Sequence, residues 1–293
     1  MIRFISTPCP VCGSQTKSCC ATNDGLHICR GIPNEGWRRL KSCDNGFSVY
    51  RKESFCKENT PKFLTESKNK KPYINWNFLA EKYKKNLKNS HRDFLSQKIG
   101  VPDCFDLFDI GIKDHDKKMV FTIPERDESG ITGISLRYEG EEVIKIGIKG
   151  SKRGLCFPKQ FPNDGIIYVV EGFTDCAAMT AAGINCIGRP TNVGGSEYIA
   201  KICKNREVIV LGENDWRLCK TCHGRGCKDC HKTGAIFPGL DGATVVSRKM
   251  SKILGRKIDF QMPPKGYKDV REFLISLNCP WEERGKQLIN SLV

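Results

Sequence analysis

No apolar run in the 293 residues approaches the ~20 needed to cross a bilayer, and the chain does not open with the charged start and apolar core of a signal peptide. Membrane insertion and export are therefore not expected, and the expected compartment is the cytoplasm. Acidic side chains are also in short supply. Asp and Glu number 33 against 48 Lys and Arg, a formal charge of +15. Such a surplus suits a polyanionic partner, though it also serves solubility. The apolar fraction of 39 % rules out wholesale disorder and allows at least one sizeable core. The length corresponds to about two domains.

Cysteine, by contrast, is abundant. Seventeen is an odd number, and with no export signal a disulfide framework is not the natural reading. Metal spacing is. Cys9-Pro-Val-Cys12-Gly13 is a knuckle with two thiolates three residues apart and a turn at Gly13. Cys19, Cys20 and Cys29 follow, and the favoured zinc set is Cys9, Cys12, Cys19 and Cys29, with Cys20 the open alternative for the third ligand. A second set, Cys219, Cys222, Cys227 and Cys230, has the tidier form C-x2-C, four residues, C-x2-C. That segment has almost no apolar residues and needs a metal to hold its shape. Its Lys220, Arg225, Lys228 and Lys232 make either a structural strap or a small nucleic-acid finger conceivable. The other cysteines need no role beyond packing.

Charge is distributed unevenly, net +11 over residues 1–100, −4 over 101–200 and +8 over 201–293. Residues 1–50 read as a small zinc-nucleated unit, and 51–72, rich in Lys, Asn, Ser, Thr and Glu, as a flexible linker. Trp76, Leu79, Ala80 and Tyr83 share one helical face, and a second helix over about 92–98 stops at Gly100. A short helical segment covers 105–108. Alternating runs at 119–123, 133–138 and 143–148 predict a small antiparallel sheet. Arg126, Arg137, Lys145, Lys149, Lys152 and Arg153 lie on or beside it.

From residue 166 the pattern changes to buried strands at 166–170, 184–187, 207–211 and 257–261, separated by helices at 174–182, 196–203 and 242–254 and followed by one at 270–277. This is the signature of a parallel α/β sheet, which binds ligands at the carboxyl ends of its strands. Glu171 and Asp175 follow the first of these strands, Glu213 and Asp215 the third, and Asp269 the fourth. Five carboxylates on one edge repel one another and call for Mg2+ or Mn2+. Gly188-Arg-Pro and Gly194-Gly-Ser196 are a weaker phosphate-cradle signal, and Lys268 beside Asp269 can reach the same polyphosphate.

The segments VVEGFTD (169–175), LGEND (211–215) and KDVRE (268–272) resemble the TOPRIM domain. With the Cys-rich start and the stretches 121–140 and 149–158 ahead of it, nearly the whole chain resembles the DnaG-type DNA primases of bacteria and phage. E-N-D stands where D-x-D is usual, and the Cys219–Cys230 insertion interrupts the domain. The resemblance implies a zinc-binding domain over 1–50, the linker over 51–72, the basic N-terminal subdomain of the polymerase core over 73–160, and TOPRIM over 161–293 with the zinc insertion at 216–234. It implies template-directed RNA primer synthesis in a bacterial or phage-infected cytoplasm, a primer 3′-oxygen attacking the α-phosphate of a nucleoside triphosphate. Glu171, Asp175, Glu213, Asp215 and Asp269 would be the catalytic acids, with magnesium at Glu171, Glu213, Asp215 and Asp269. Arg126, Arg137, Lys145, Lys149, Lys152, Arg153 and Lys268 would contact single-stranded DNA template and nucleotide. No G-x4-G-K-[ST] occurs in the sequence, so a separate helicase is the expected partner. The alternatives on the same residues are a TOPRIM metal-dependent nuclease and a non-catalytic single-stranded-DNA-binding replication accessory.

Overall fold

Two units divide the chain, Met1–Lys70 and Lys71–Val293. The structure, a computed structural model, describes residues 2–4, 8–13, 19–22, 25–29, 33–42, 47–52, 74–115, 118–139, 144–161 and 164–292. The linker expected at 51–72 lies outside the described residues beyond Lys52, as do Cys43 and Cys56.

The first unit holds β1 (Ile2–Phe4), β2 (Cys20–Thr22), β3 (His27–Cys29), β4 (Trp37–Ser42) and β5 (Ser48–Lys52). They form one antiparallel sheet in the order β1-β2-β3-β5-β4. Among the described residues its core is small: Val11 and Tyr50 are buried with Cys9, Cys19 and Cys29, and Trp37 packs against them. So little apolar surface contributes only a few kcal/mol at roughly 25 cal/mol per Å2.

The second unit begins with α1 (Trp76–Lys85), α2 (Asn89–Ile99) and α3 (Phe105–Phe108). Asn75 caps α1, its side chain accepting the Phe78 N–H at 3.0 Å. The expected face is the inner one, with Ala80 buried and Trp76, Leu79 and Tyr83 half-buried. An antiparallel sheet follows: β6 (Gly111–His115), β7 (Lys118–Asp127), β8 (Gly130–Tyr138) and β9 (Ile144–Gly147), paired in chain order. The sequence pattern points to three of these strands. The fourth, β6, reads Gly-Ile-Lys-Asp-His and carries too little alternation to be seen.

The parallel sheet is built from β10 (Ile167–Glu171), α4 (Gly172–Ala181), β11 (Cys186–Arg189), α5 (Ser196–Ile202), β12 (Val208–Leu211), a hairpin β13 (Arg217–Leu218) and β14 (Ala235–Ile236), α6 (Pro238–Leu254), β15 (Asp259–Gln261), α7 (Val270–Ser276) and α8 (Trp281–Ser291). Its order is β11-β10-β12-β15, all parallel. Both faces of β10 are covered, which is why its sequence is apolar without alternation. Ile167 and Val169 join the core under α5 and α6. Tyr168 and Val170 join the one formed with α4, α7 and α8. The largest departures from the expected elements are two shifted starts and one added helix. The strand at 184–187 is displaced to Cys186–Arg189, α6 starts at Pro238 rather than 242, and α8 adds a terminal helix.

One short segment stitches the two sheets together. Leu155 exchanges backbone hydrogen bonds with Arg126, both 2.7 Å, and Cys156 does so with Gly188 at 2.9 and 2.7 Å. Gly188 has no room for a side chain, since a Cβ would stand 2.3 Å from the Gly172 carbonyl oxygen. Gly172 itself is small because its φ is +81°, in the left-handed region. No helix among the described residues is long and apolar enough to cross a membrane.

Candidate active site

The carboxyl edge of the parallel sheet faces β7, β8 and β9 across a cleft of about 640 Å3. Glu171 closes β10, and Asp175 sits one turn into α4. Glu213 and Asp215 follow β12, and Asp269 caps α7. Glu171, Asp175, Glu213 and Asp269 line the cleft. Asp215 stands beside Glu213 but turns to the start of α6, accepting the Gly239 N–H at 2.7 Å.

Asn214, the middle residue of the Glu-Asn-Asp run, assembles this edge. Its amide nitrogen donates to the carbonyls of Pro263 (3.1 Å) and Tyr267 (2.9 Å), and its backbone N–H donates to Lys268 O at 2.6 Å. These bonds pin the loop after β15 against the end of β12, which brings Lys268 and Asp269 to Glu213. Lys268 Nζ then lies 3.5 Å from Glu213 and 3.9 Å from Asp269. Asp269 serves two purposes. Its Oδ1 accepts the Glu272 N–H at 2.8 Å while Glu272 accepts the Lys268 N–H at 2.5 Å, a reciprocal helix cap. Its Oδ2 is left towards Lys268 and Arg271, each at 3.9 Å.

Burial and like charge govern the titration. Asp175 is 3 % exposed, and burial, then Asp269 and Glu213, raise its pKa well above the carboxylate range. Arg271 Nε, 3.6 Å away, opposes this. Glu213 is raised too, by burial and then by Glu171, Asp269 and Asp215, with Lys268 countering. Their donors are hard oxygens at a partly buried edge with an excess of negative charge, the chemistry that suits Mg2+ or Mn2+. Among the described residues, however, only the two cysteine clusters bring three or more ligand atoms within 4.8 Å of one another; the carboxylates stand further apart.

The opposite wall is cationic. Arg137, Lys145 and Arg153 line the cleft, as Lys268 does at the acidic edge. Arg153 is held by Glu125 and Ser135, both at 3.1 Å, and by Pro190 O at 2.5 Å; Arg137 is paired with Glu139. Lys145 is exposed on β9, and partial desolvation of its ammonium at the cleft, then Arg137, lower its pKa against the pull of Asp175, Glu171 and Glu213. Lys149 and Lys152 are exposed outside the cleft. Arg126 is placed away from it, buried in an ion pair with Asp109 at 2.6 Å. Asp109 also takes Lys84 at 3.1 Å, so this arginine is committed to packing α3 on the antiparallel sheet.

Two further arginines line the cleft: Arg189, which the sequence marks only within the weak Gly-Arg-Pro phosphate-cradle signal, and Arg271, which it does not mark. Arg189 is 1 % exposed and donates to the carbonyls of Val170 (3.3 Å), Leu211 (3.1 Å) and Asn192 (2.7 Å), tying the ends of β10 and β12 beneath the acids. Its Gly-Arg-Pro setting suggests a phosphate cradle, but these bonds make it first a brace. Burial lowers its pKa although Glu171, Glu213 and Asp175 favour its charge. Arg271 reaches Ile99 O at 3.0 Å besides the two carboxylates. The Gly-Arg-Pro run points to Arg189 in the sequence, but its register opposite Glu171 appears only with strand pairing.

Both cysteine sets form clusters able to hold zinc, with Cys19 rather than Cys20 in the first. The Sγ–Sγ distances of 3.9 Å (Cys12–Cys19), 3.7 Å (Cys219–Cys227), 3.6 Å (Cys222–Cys230) and 3.8 Å (Cys227–Cys230) match the roughly 3.8 Å edge of a tetrahedron with 2.3 Å Zn–S bonds. Burial and the thiols of Cys9 and Cys12 push the Cys19 thiol up to about 12, while the Cys227 N–H, donating at 3.2 Å, brings Cys230 down to about 6.

No family model matches the chain, and no curated protein matches it. Among solved structures it is similar to the Aquifex aeolicus primase (zinc-binding and RNA polymerase domains), with a TM-score of 0.53 and 15 % identity over 98 % of this chain and 78 % of that one. The likeness is one of fold. The primase fragment of the bacteriophage T7 primase-helicase protein gives a TM-score of 0.40 and 14 % identity over 66 % of this chain and 72 % of that one, too slight to bear on the fold.

Proposed function

We propose that the chain is a DNA primase, making short RNA primers on single-stranded DNA from nucleoside triphosphates. One observation carries the reading: in a single cleft, Glu171, Asp175, Glu213 and Asp269 at a parallel-sheet edge face Arg137, Lys145 and Arg153. Acids alone suit a cation and bases alone suit a phosphate; the two facing each other suit a metal-bound triphosphate. The primase-like fold agrees with it. Glu171, Glu213, Asp215 and Asp269 would hold magnesium or manganese, which when bound neutralises and orients phosphoryl oxygens.

The chain's own residues bind and align. Arg137, Lys145 and Arg153 take the phosphates of nucleotide and template, and Lys268 bridges from them to the acidic edge. Asn214 and Arg189 act as positioning residues, holding the strand ends that carry the acids. The primer 3′-hydroxyl gives its proton to solvent as its oxygen bonds to the α-phosphorus, the α–β phosphoanhydride bond breaks, and pyrophosphate leaves. Positioning and charge neutralisation supply the rate, so no side chain is assigned as general base. The 1–50 zinc unit would read the template, Lys149 and Lys152 would meet the phosphates of a longer strand, and a separate helicase would supply single strands.

The test is primer synthesis on single-stranded DNA with labelled ribonucleotides and Mg2+. Wild type is expected to yield short products, and Glu213→Gln and Asp215→Asn to lose about 10²–10³-fold in rate. Asn at 215 keeps an oxygen for the Gly239 N–H, so lost activity there reports charge and not a broken α6. A nicked template without primers would replace this reading by the nuclease. Tight DNA binding with neither activity would leave an accessory protein.

A further inference from the structure

The Cys219–Cys230 knuckle has no task in the primase reading, yet it is fastened at the acidic edge. β13 and β14 pair in the register Arg217↔Ile236 and Leu218↔Ala235, and the Cys219 N–H donates to Gly234 O at 2.9 Å. Asp215 immediately precedes this hairpin, and the Gly239 N–H just beyond it donates to the Asp215 carboxylate. A Cβ on Gly239 would stand 2.3 Å from Glu213 O, so the base of the hairpin is packed directly on the run that carries Glu213 and Asp215.

The surface that leads away from that edge has a consistent character. Trp216 and Phe237, the residues next to the paired Arg217 and Ile236, flank the base and are 65 % and 42 % exposed; Leu218 is 60 % exposed. Further out, Lys220, Arg225, Lys228 and Lys232 are all solvent-accessible. The segment 216–234 holds five Arg and Lys against one acid, Asp229, whose carboxylate is already bonded by Thr221 at 2.9 Å. Exposed aromatics at the site and ammonium groups beyond it are the combination that binds single strands: bases stack on the rings and phosphates meet the cations. A purely structural strap requires the thiols but neither the exposed rings nor the positive excess.

We propose that this hairpin is a second single-stranded DNA contact, which holds the template where it meets the carboxylate edge, with Trp216 and Phe237 under bases and Lys220, Lys228 and Lys232 on phosphates. Its choice of DNA as occupant rests on the primase reading. The full zinc-loaded chain is titrated onto a labelled oligo-dT by anisotropy at several salt concentrations, and zinc content is measured for every variant to show that the knuckle is intact. Changing Lys220, Lys228 and Lys232 together to Gln is expected to weaken binding roughly tenfold or more. The log–log salt slope should flatten by about 2, since each phosphate no longer neutralised removes about 0.7. Trp216→Ala is expected to weaken binding roughly 5- to 100-fold, with Trp216→Phe restoring most of it, because stacking needs a ring.

Unchanged affinity and salt slope in the zinc-replete triple variant overturn the inference. The two readings separate cleanly. Primers from wild type, with the triple variant binding and priming as well as wild type, leave the primase and remove the second DNA-binding surface. Weakened binding in the triple variant, with no primers from any form, keeps that surface and removes the primase. If wild type itself does not bind oligo-dT, both fall.

Discussion

The cysteine clusters and the carboxylate edge are both sets of metal-ligand residues, but the fold treats them differently. The thiols are already gathered, with all four sulfurs of each cluster within 4.8 Å of one another. The carboxylates are held apart and interleaved with Lys268 and Arg271. Most of these thiols stay neutral at pH 7, and the Cys230 thiolate is stabilised by the Cys227 N–H, so a turn can close on them with little repulsion. Carboxylates at neutral pH do repel, and a stable edge needs distance, protons or cations. The clusters therefore belong to the architecture, whereas the edge is poised for a charged ligand.

Removing each ligand should separate the two most sharply. Structural zinc contributes on the order of 10–16 kcal/mol in small domains, and among the described residues the first unit has almost no other core. A strong zinc chelator is expected to unfold residues 1–52 and loosen 216–234 while 74–292 otherwise stays folded, as read by hydrogen exchange segment by segment. Omitting Mg2+ should abolish primer synthesis while every segment stays folded, with at most a small, even drop in protection across 74–292. Chelation that leaves 1–52 protected would break the contrast.

A smaller effect lies in pH. Burial and like charge raise Asp175 and Glu213, so the folded chain holds their protons more tightly than the unfolded chain does. In the absence of divalent ions, stability from these groups is greatest below their unfolded pKa of about 4 and declines as pH climbs through the raised folded values. Magnesium should restore it, with a Tm increment that grows from pH 5 to 8; about 2–4 °C corresponds to 1 kcal/mol in a unit of this size. Asp175→Asn should flatten the magnesium-free slope. An increment independent of pH would show that no proton leaves this edge when the ion binds.

The smallest effect divides one residue's two roles. Asp269→Ala should cost about 1 kcal/mol through the lost cap of α7, and Asp269→Asn should recover most of that stability. Neither is expected to recover priming, since the amide restores the cap but not the charge. Equal activity in Asn and wild type would confine Asp269 to capping.

The legible parts of the sequence are those set by neighbours along the chain. Two cysteines three apart face one ion because one turn decides it, and a five-residue apolar run such as Ile166–Val170 announces a strand covered on both sides. The third ligand of the first cluster is not legible. Cys19 and Cys20 are neighbours, and only the fold separates them: Cys20 enters β2 and pairs with Phe4 and Ile28, while Cys19, just before the strand, joins the cluster. β6 and the β13–β14 hairpin are invisible for a similar reason: short, polar strands exist here because a partner strand is present.

By itself the sequence determined that carboxylates end three strands of a parallel sheet and that two sets of four cysteines can close on metal. Tertiary structure decided which charges meet them. It buried Arg126 against Asp109, outside the cleft, and brought Arg189 from a different strand under Glu171 and Glu213. It also used Asn214 to draw Lys268 and Asp269 across from a loop more than fifty positions further along. Spacing along a chain carries the geometry of a turn or a strand end. The desolvation and Coulomb energies that set a site's protons and ions depend on distances in space, which arise only when distant segments pack.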